Sequence, residues 1–443
     1  DLLILPFVNL TLTARSMTTY LTYRSQMSKR EETNKFKLFN DPIYGFIAIP
    51  SELIFDLIEH PFFQRLRRIG QLGLSSLVYP GAYHSRFHHA LGAMHLTQKA
   101  VNVLINKGHK ISKSEAEAVQ IAILLHDIGH GPFSHALEHS LIKNITHESL
   151  SLLIMQHLNK EFNGRLDEAI EIFSNNHKKR FLYQLVSSQL DMDRLDYLRR
   201  DAFYTGVVEG AINSERLISM LNISNGELVI DDKGLSSVQK FLISRSLMYW
   251  QVYMHKAVLS AENMLVQLLS RAHHIAQKDN DLFAGKELKY FLQNKPGKKE
   301  FDTNPDVLNS FTQLDDADIL AAMKQWKNHK DLVLSDLSER LLDRKLFQIK
   351  FLKKEISEKK QNSLDKEIRT QFHISSEHSK YFLIQGIASN STYVSDKEEI
   401  KILNRDGNII PLSEASEILP LSVYNHTITR PFVCWPKEIR WID

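Results

Sequence analysis

Residues 114–135 read Ser-Glu-Ala-Glu-Ala-Val-Gln-Ile-Ala-Ile-Leu-Leu-His-Asp-Ile-Gly-His-Gly-Pro-Phe-Ser-His, and this stretch decides the fold. Ser114-Glu115-Ala116-Glu117 has the form of a capping box, which opens a helix by pairing serine and acid reciprocally with backbone N–H groups. Ala118, Val119, Ile121, Ala122, Leu124 and Leu125 then cover most of the helix circumference, so the helix is buried on nearly all sides. It runs directly into His126-Asp127, and Gly129 and Gly131-Pro132 break it. Two potential metal ligands therefore stand at the bottom of a core, not on a wet surface.

Working outward, three more places carry ligand-type side chains: His84-Ser-Arg-Phe-His88-His89, His147-Glu148, and the acidic helix Asp191-Met-Asp193-Arg194-Leu-Asp196-Tyr197-Leu-Arg-Arg-Asp201. Imidazole and carboxylate together suit a divalent transition metal or a harder ion such as Mn²⁺ or Mg²⁺. Two His and two Asp leave positions open for water and a substrate oxygen, and such an ion acidifies water and polarises a phosphoryl group. Asp193, Tyr197 and Asp201 are spaced i, i+4, i+8, so they form one stripe on a helix. One end can reach a metal while the other reaches toward a sugar. A lone buried histidine is usually a satisfied core residue, and an acidic stripe alone is usually a solvated face; the weight lies in their co-occurrence.

Composition sets the frame. The 443 residues, 43% hydrophobic and 24% charged, are ordinary for a globular protein of two or three domains. A net charge of +3 argues neither for nucleic acid nor for a membrane surface. The basic runs Lys298-Lys299, Lys353-Lys354 and Lys359-Lys360 are short and read as solvated faces. Nucleic acid is a partner the sequence permits without indicating. The single cysteine, Cys434, excludes a disulfide framework and a Cys-based zinc site, and fits the cytoplasm. Leu2–Ala14 is too short to span a bilayer, and residues 1–34 read as a poorly ordered leader, with Met17 and Met27 as alternative starts.

From Pro50 to about Ser270 the pattern is helical almost throughout. It is broken between about Glu209 and Ser236, where Glu227–Ile230 is a candidate strand, and followed by one long amphipathic helix from Ser237 to Ala272. On that helix Arg245, Tyr249, Tyr253 and Lys256 share a face that mixes phosphate-type cations with rings able to stack on a sugar. Lys278 to Pro305 reads as a surface excursion, and 306–365 as helix with a charged end. Short β runs follow at Tyr381–Gln385, Ile400–Leu403 and Phe432–Trp435.

With these motifs in hand, the chain resembles the HD-domain deoxynucleoside triphosphate triphosphohydrolases. The resemblance covers roughly Lys37 to Lys256 and rests on NDPIYG, FQRLRRIGQLG, YPGAYHSRFHHALG, HDIGHGPFSH, DMDRLDYLRRD and YMHK in that order. It implies that His89, His126, Asp127 and Asp193 hold a divalent metal (Mn, Mg, Fe, Co or Zn), the pattern Arg-Phe-x-His selecting His89 over His88. It implies His130, with His147 and Glu148 behind it, as the acid/base group, with Asp201 counted in the same catalytic set. Arg86, His135, Arg194, Tyr197, Arg245 and Lys256 would contact phosphates, and Gln71, Leu72, Asp201 and Tyr253 would frame the deoxyribose. A second nucleotide, an activator, would meet Lys37, Asn40, Glu59, Gln64 and Arg67, with Arg216, Lys233 and Arg344 serving a neighbouring one. Gln348 stands where another cation is expected.

The expected fold is mainly α: a helical HD-domain core over 35–275 and a smaller C-terminal α+β lobe over 276–443 that serves regulation and oligomerisation. The expected activity is metal-dependent conversion of a dNTP to deoxynucleoside and inorganic triphosphate by a nucleotide-activated homo-oligomer, a tetramer. Two alternatives stay open: a phosphodiesterase or other nucleotide phosphohydrolase, and a nucleotide sensor that binds nucleic acid.

Overall fold

The computed structural model describes residues 37–278, 281–390, 399–415 and 428–441; the leader expected at 1–34 lies outside them. The architecture is mainly α with a C-terminal α+β lobe. A short antiparallel hairpin, β1 (Leu38–Asp41) and β2 (Gly45–Ala48), opens the described chain. The first core helix, α1 (Arg86–Asn106), packs against both α2 (Lys113–Leu125) and α4 (Met192–Thr205), with α3 (His147–Glu161) between them in sequence. Their apolar faces, from Ala90 and Met94 through Val119, Leu124, Leu195 and Leu198, are essentially inaccessible to water. Among the described residues no helix is long and apolar enough to cross a membrane.

Helix α2 opens two residues earlier than the expected box. Ser112 is the cap: the Glu115 N–H donates to Ser112 Oγ at 3.1 Å, and the Ser112 N–H donates to Glu115 Oε2 at 2.8 Å. Ser114 falls inside the first turn, and its hydroxyl bonds the Glu168 carboxylate instead. Either serine satisfies the sequence pattern, so tertiary contact to Glu168 decides between them.

The long helix expected from Ser237 to Ala272 is two helices. Helix α5 (Leu235–Met248) passes into a π-turn over Tyr249–Tyr253, and α6 (Lys256–Ala276) starts afresh after His255. His255 is extended, and its ring accepts from the Ala257 N–H at 3.2 Å, acting as the cap of α6. The face shared by Arg245, Tyr249, Tyr253 and Lys256 therefore ends at Tyr253.

The surface excursion expected at 278–305 is largely helical, over Lys286–Asn294 and Lys298–Thr303. Leu288, Phe291 and Leu292 provide a buried i, i+3, i+4 edge that the surrounding Lys, Asn and Gly residues disguise. The helix expected over 306–365 is also divided. Helices α7 (Asp316–Trp326) and α8 (Leu332–Leu342) are followed by β5 (Gln348–Phe351) before α9 (Glu358–Phe372).

The candidate strand at Glu227–Ile230 is present as β4 (Glu227–Asp231), paired with β3 (Leu221–Ser224). The run expected from Tyr381 starts at Ile384, as β6 (Ile384–Asn390). Strands β7 (Lys401–Leu403), β8 (Ile409–Pro411) and β9 (Ile428–Trp435) complete the set. One sheet has the order β5-β9-β6 and the other β3-β4-β7-β8. In the second, β7 lies parallel to β4 with Ile402 opposite Ile230, so a strand of the C-terminal lobe is stitched to the helical core.

Candidate metal centre and active site

Helix α1 brings two adjacent histidines to opposite uses. His88 turns back on its own N-terminus, its Nδ1 2.9 Å from Ser85 Oγ. His89 points inward with no exposed side-chain surface, and its Nε2 lies 3.1 Å from Asp193 Oδ1 and 3.9 Å from Asp127 Oδ2. At the end of α2, His126 Nε2 lies 3.3 Å from Asp127 Oδ1 and 3.4 Å from Asp193 Oδ1. His89, His126 and Asp193, from three segments, form a group that could hold a metal ion, while the fourth expected ligand, Asp127, borders that group with its Oδ2 bonded to Arg86.

The chemistry of this donor set fits a divalent cation. Each ring is fixed through its other nitrogen: His89 Nδ1 is 2.7 Å from Asp196 Oδ2, and His126 Nδ1 is 2.6 Å from the Ile123 carbonyl. An Nδ1–H donated to an oxygen leaves the Nε2 lone pair free. Both Nε2 atoms are buried without an aligned hydrogen bond, facing carboxylate oxygens across little more than 3 Å. Lone pair against lone pair is repulsive unless positive charge lies between them. With no cation the rings take up protons instead: burial opposes it, but the Asp193 and Asp196 carboxylates raise His89 to about 10.

Behind His89 runs a buried chain of charge. Arg200 donates from Nε and one terminal nitrogen to both oxygens of Asp196 at 2.9 Å, and from the other to Asp41 at 2.8 Å. The approach of α4 to α1 depends on Gly92, where a Cβ would stand 2.0 Å from Asp196 Oδ1 and 2.2 Å from the Arg200 guanidinium. Asp196 and Asp41 support His89 through these bonds, a role the sequence assigns to neither although both lie inside the motifs quoted above.

On the far side of Asp127 lies His130, its Nε2 3.3 Å from Asp127 Oδ1. Its ring stacks on His147 with centroids 3.9 Å apart. Burial and the nearby Arg86 guanidinium, outweighing Asp127, hold the His130 imidazole well below its ordinary pKa, so it is neutral at physiological pH. His147 Nδ1 lies 2.9 Å from Glu138 Oε1, and its Nε2 is 3.3 Å from Glu148 Oε1. Glu138 is a further group that sequence reasoning misses, three residues past His135 on the helix His135–Ser140. The His135 side chain lies outside the described residues.

The expected substrate contacts mostly gather here. Arg86 donates to Asp127 Oδ2 at 2.5 Å. Tyr197 bridges two regions, its ring centroid 6.4 Å from that of His89 and 6.2 Å from that of Tyr253. The Tyr253 hydroxyl donates to Asp201 Oδ2 at 2.7 Å, and Asp201 Oδ1 is 2.8 Å from His84 Nε2. Arg245 is buried beside Tyr249, and Arg194 pairs with the Asp191 carboxylate. Gln71 and Leu72 follow a turn whose Gln71 N–H donates to the His84 carbonyl at 2.9 Å. Lys256 is not brought to this group: it opens α6 exposed to solvent, its ammonium 5.9 Å from the Phe351 ring.

The residues expected to read an activator fall into separate groups. Lys37 Nζ sits 3.1 Å from the Phe55 ring centroid, and Arg67 covers the Phe87 ring at 3.6 Å while its Nε donates to Gln64 Oε1 at 2.8 Å. Asn40 lies exposed on β1, and Glu59 ends the helix Glu52–Glu59. Arg216 meets the Lys233 carbonyl at 3.3 Å, whereas Arg344 donates to the Leu77 carbonyl at 2.6 Å. Gln348 is spent on β5, donating to the Ile439 carbonyl at 2.9 Å.

Residues 86–201 match the HD domain family, and residues 212–288 match the HD associated region. The chain is 33% identical over 417 residues to the uncharacterized protein YwfO of Bacillus subtilis (strain 168), a match covering 91% of this chain and 93% of that one. It is 30% identical over 270 residues to the deoxynucleoside triphosphate triphosphohydrolase SAMHD1 homolog of Dictyostelium discoideum, covering 57% of this chain and 52% of that protein. The crystal structure of a phosphohydrolase from Bacteroides thetaiotaomicron VPI-5482 superposes with a TM-score of 0.88 at 48% identity, over 90% of this chain and 100% of that chain.

Proposed function

We propose, from the premise that this chain belongs to the HD-domain phosphohydrolase family, that it is a metal-dependent deoxynucleoside triphosphate triphosphohydrolase. The observation that carries the reading is the position of Tyr197, which stands between the metal-type cluster at His89 and the Tyr253–Asp201 pair. Phosphate chemistry and a sugar-sized aromatic wall therefore belong to one site.

A divalent cation at His89, His126, Asp127 and Asp193 would acidify water and neutralise charge on phosphoryl oxygens. Arg86, Arg194 and Arg245 add fixed positive charge around the triphosphate as charge develops on its oxygens. Neutral His130 receives the proton of the water that attacks the α-phosphorus, the Pα–O5′ bond breaks, and the proton passes on to the departing nucleoside 5′ oxygen. His147, held by Glu138, backs the His130 ring and fixes its plane. Tyr253, fixed by Asp201, lies against the C2′ side of the deoxyribose, where an added hydroxyl would clash. The products are deoxynucleoside and inorganic triphosphate. We also propose that the protein works as a homo-oligomer, a tetramer, switched on by a nucleotide that Lys37, Asn40, Glu59, Gln64 and Arg67 read.

The test is to incubate the protein with each dNTP and each rNTP, singly and mixed, with Mn²⁺ or Mg²⁺, while sizing the particle by light scattering. Release of deoxynucleoside from dNTPs alone supports the reading. Release of nucleoside monophosphate, or equal turnover of ATP and dATP, contradicts it. A strictly monomeric enzyme whose rate on each dNTP ignores the others contradicts the activation.

A further inference from the structure

We propose that Asp316, from the C-terminal lobe, is a positioning residue for the active site that locks the Gly70–Leu72 turn to the Gly131–Ser134 turn. The inference rests on the reading of that site as the seat of phosphoryl hydrolysis.

Asp316 stands at the start of α7, yet it does not cap that helix. Asp315 does: its Oδ1 accepts from the Ala317 N–H at 3.0 Å, and its own N–H donates to Asp318 Oδ2 at 2.9 Å. Asp316 is left to reach out of its own segment, and each of its oxygens takes one backbone donor from a different loop. Oδ2 accepts the Gly70 N–H at 2.8 Å, and Oδ1 accepts the Phe133 N–H at 3.0 Å. Gly70 immediately precedes Gln71, whose own N–H donates to the carbonyl of His84. Phe133 lies three residues beyond His130 and holds a left-handed φ of 46°. A bulky residue adopts that conformation only where its surroundings impose it.

A second link runs the opposite way between the same parts. Arg65, 1% exposed, donates to the carbonyls of Ile128 and His130 at 2.8 and 3.0 Å, and to those of Leu314 and Phe311 at 3.1 and 3.4 Å. Arg65 therefore ties segment 311–316 to the HD loop through carbonyls of both, while Asp316 takes one N–H of that loop directly, that of Phe133. Burial raises the Asp316 carboxyl to about 6; Arg86 opposes that rise and Asp315, itself paired with Arg68, adds to it. At neutral pH the carboxylate form, with two accepting oxygens, prevails. A residue needed only for folding would not have to straddle two loops that carry Gln71 and His130.

Asp316→Asn keeps the size but leaves one accepting oxygen, so one loop is released. The experiment reads amide hydrogen exchange, thermal unfolding, and steady-state hydrolysis of dGTP with Mn²⁺. The expected result is exchange at Gly70 or Phe133 faster by about tenfold or more, with unchanged protection elsewhere and an unchanged midpoint. The expected kinetic result is kcat lower by about 10–100-fold, with KM within a factor of about two. Should this variant fail to fold, Gly70→Ala presses on the same contact, its Cβ meeting Asp316 Oδ2 at 3.3 Å, and the same pattern is expected in weaker form. Unchanged exchange at both amides, unchanged kcat with the amides freed, or activity lost in step with global protection would overturn the proposal. If the wild type turns over no nucleotide, the functional reading falls, and the exchange result still decides whether Asp316 holds the loops.

Discussion

His89 Nδ1 lies 2.7 Å from Asp196 Oδ2, and neither side chain has any exposed surface. This contact fixes which nitrogen of His89 faces the metal position, and Asp196 is fixed in turn by Nε and one terminal nitrogen of Arg200. Asp196→Asn can satisfy His89 but not Arg200 as well. Metal affinity should fall by about 10–100-fold, and the loss of a buried ionic partner should cost about 3–5 kcal/mol of stability. Calorimetric metal titration and denaturant unfolding check both; wild-type metal affinity in this variant would mean that His89 is oriented by something else.

Gly129 packs the HD loop directly against the first turns of α3. A Cβ there would stand 2.2 Å from the His147 carbonyl oxygen and 2.3 Å from the Ser151 amide nitrogen, and backbone atoms cannot swing aside. Overpacking of this kind costs about 1–3 kcal/mol. Gly129→Ala should therefore unfold at lower denaturant and displace His147 from the His130 ring. An unchanged midpoint would show that the two segments have slack between them.

Much of this site is legible in the amino-acid sequence. The candidate ligands His89, His126, Asp127 and Asp193 sit in strings whose residue types are too unusual together to be ordinary core. What escapes are groups whose role depends on long-range contact. Glu138 looks like any helix-surface acid until it meets His147, and Arg65 is one of three basic residues within four positions until burial separates it from Arg67 and Arg68. The helix break at Tyr249–His255 carries no proline or glycine to announce it. Strand β5 is hidden because Gln-Ile-Lys-Phe alternates as well on a helix end as on a strand, and only pairing with β9 settles it.

Glu262 on α6 offers a test independent of the active site. Burial alone pushes its carboxyl from 4.5 to about 7. The native state then binds more protons than the unfolded chain between those pH values, so stability falls as pH rises through that window and levels off above it. Glu262→Gln removes the titrating group. It should stabilise the protein at pH 8 by an amount on the order of 1–3 kcal/mol, and the gain should vanish near pH 4. Denaturant melts across this range decide it; a gain independent of pH would assign the effect to packing.

Tyr253 donates its hydroxyl to Asp201 and packs its ring near Tyr197. If that ring excludes a 2′-hydroxyl, Tyr253→Ala should narrow the preference for dNTP over rNTP by about tenfold or more, near the size of a single steric term in a pocket. The ratio of kcat/KM for dATP and ATP measures it. A ratio unchanged by the substitution would remove Tyr253 from sugar selection.

The most direct test of the account is hydrolysis of dGTP with Mn²⁺ in H₂¹⁸O, with products separated and weighed by mass spectrometry. Attack of water on the α-phosphorus with departure of the 5′ oxygen predicts unlabelled deoxyguanosine and inorganic triphosphate carrying one ¹⁸O, formed together and abolished in Asp193→Ala. Deoxyguanosine monophosphate with pyrophosphate, label in the nucleoside, or undiminished turnover in Asp193→Ala would contradict it.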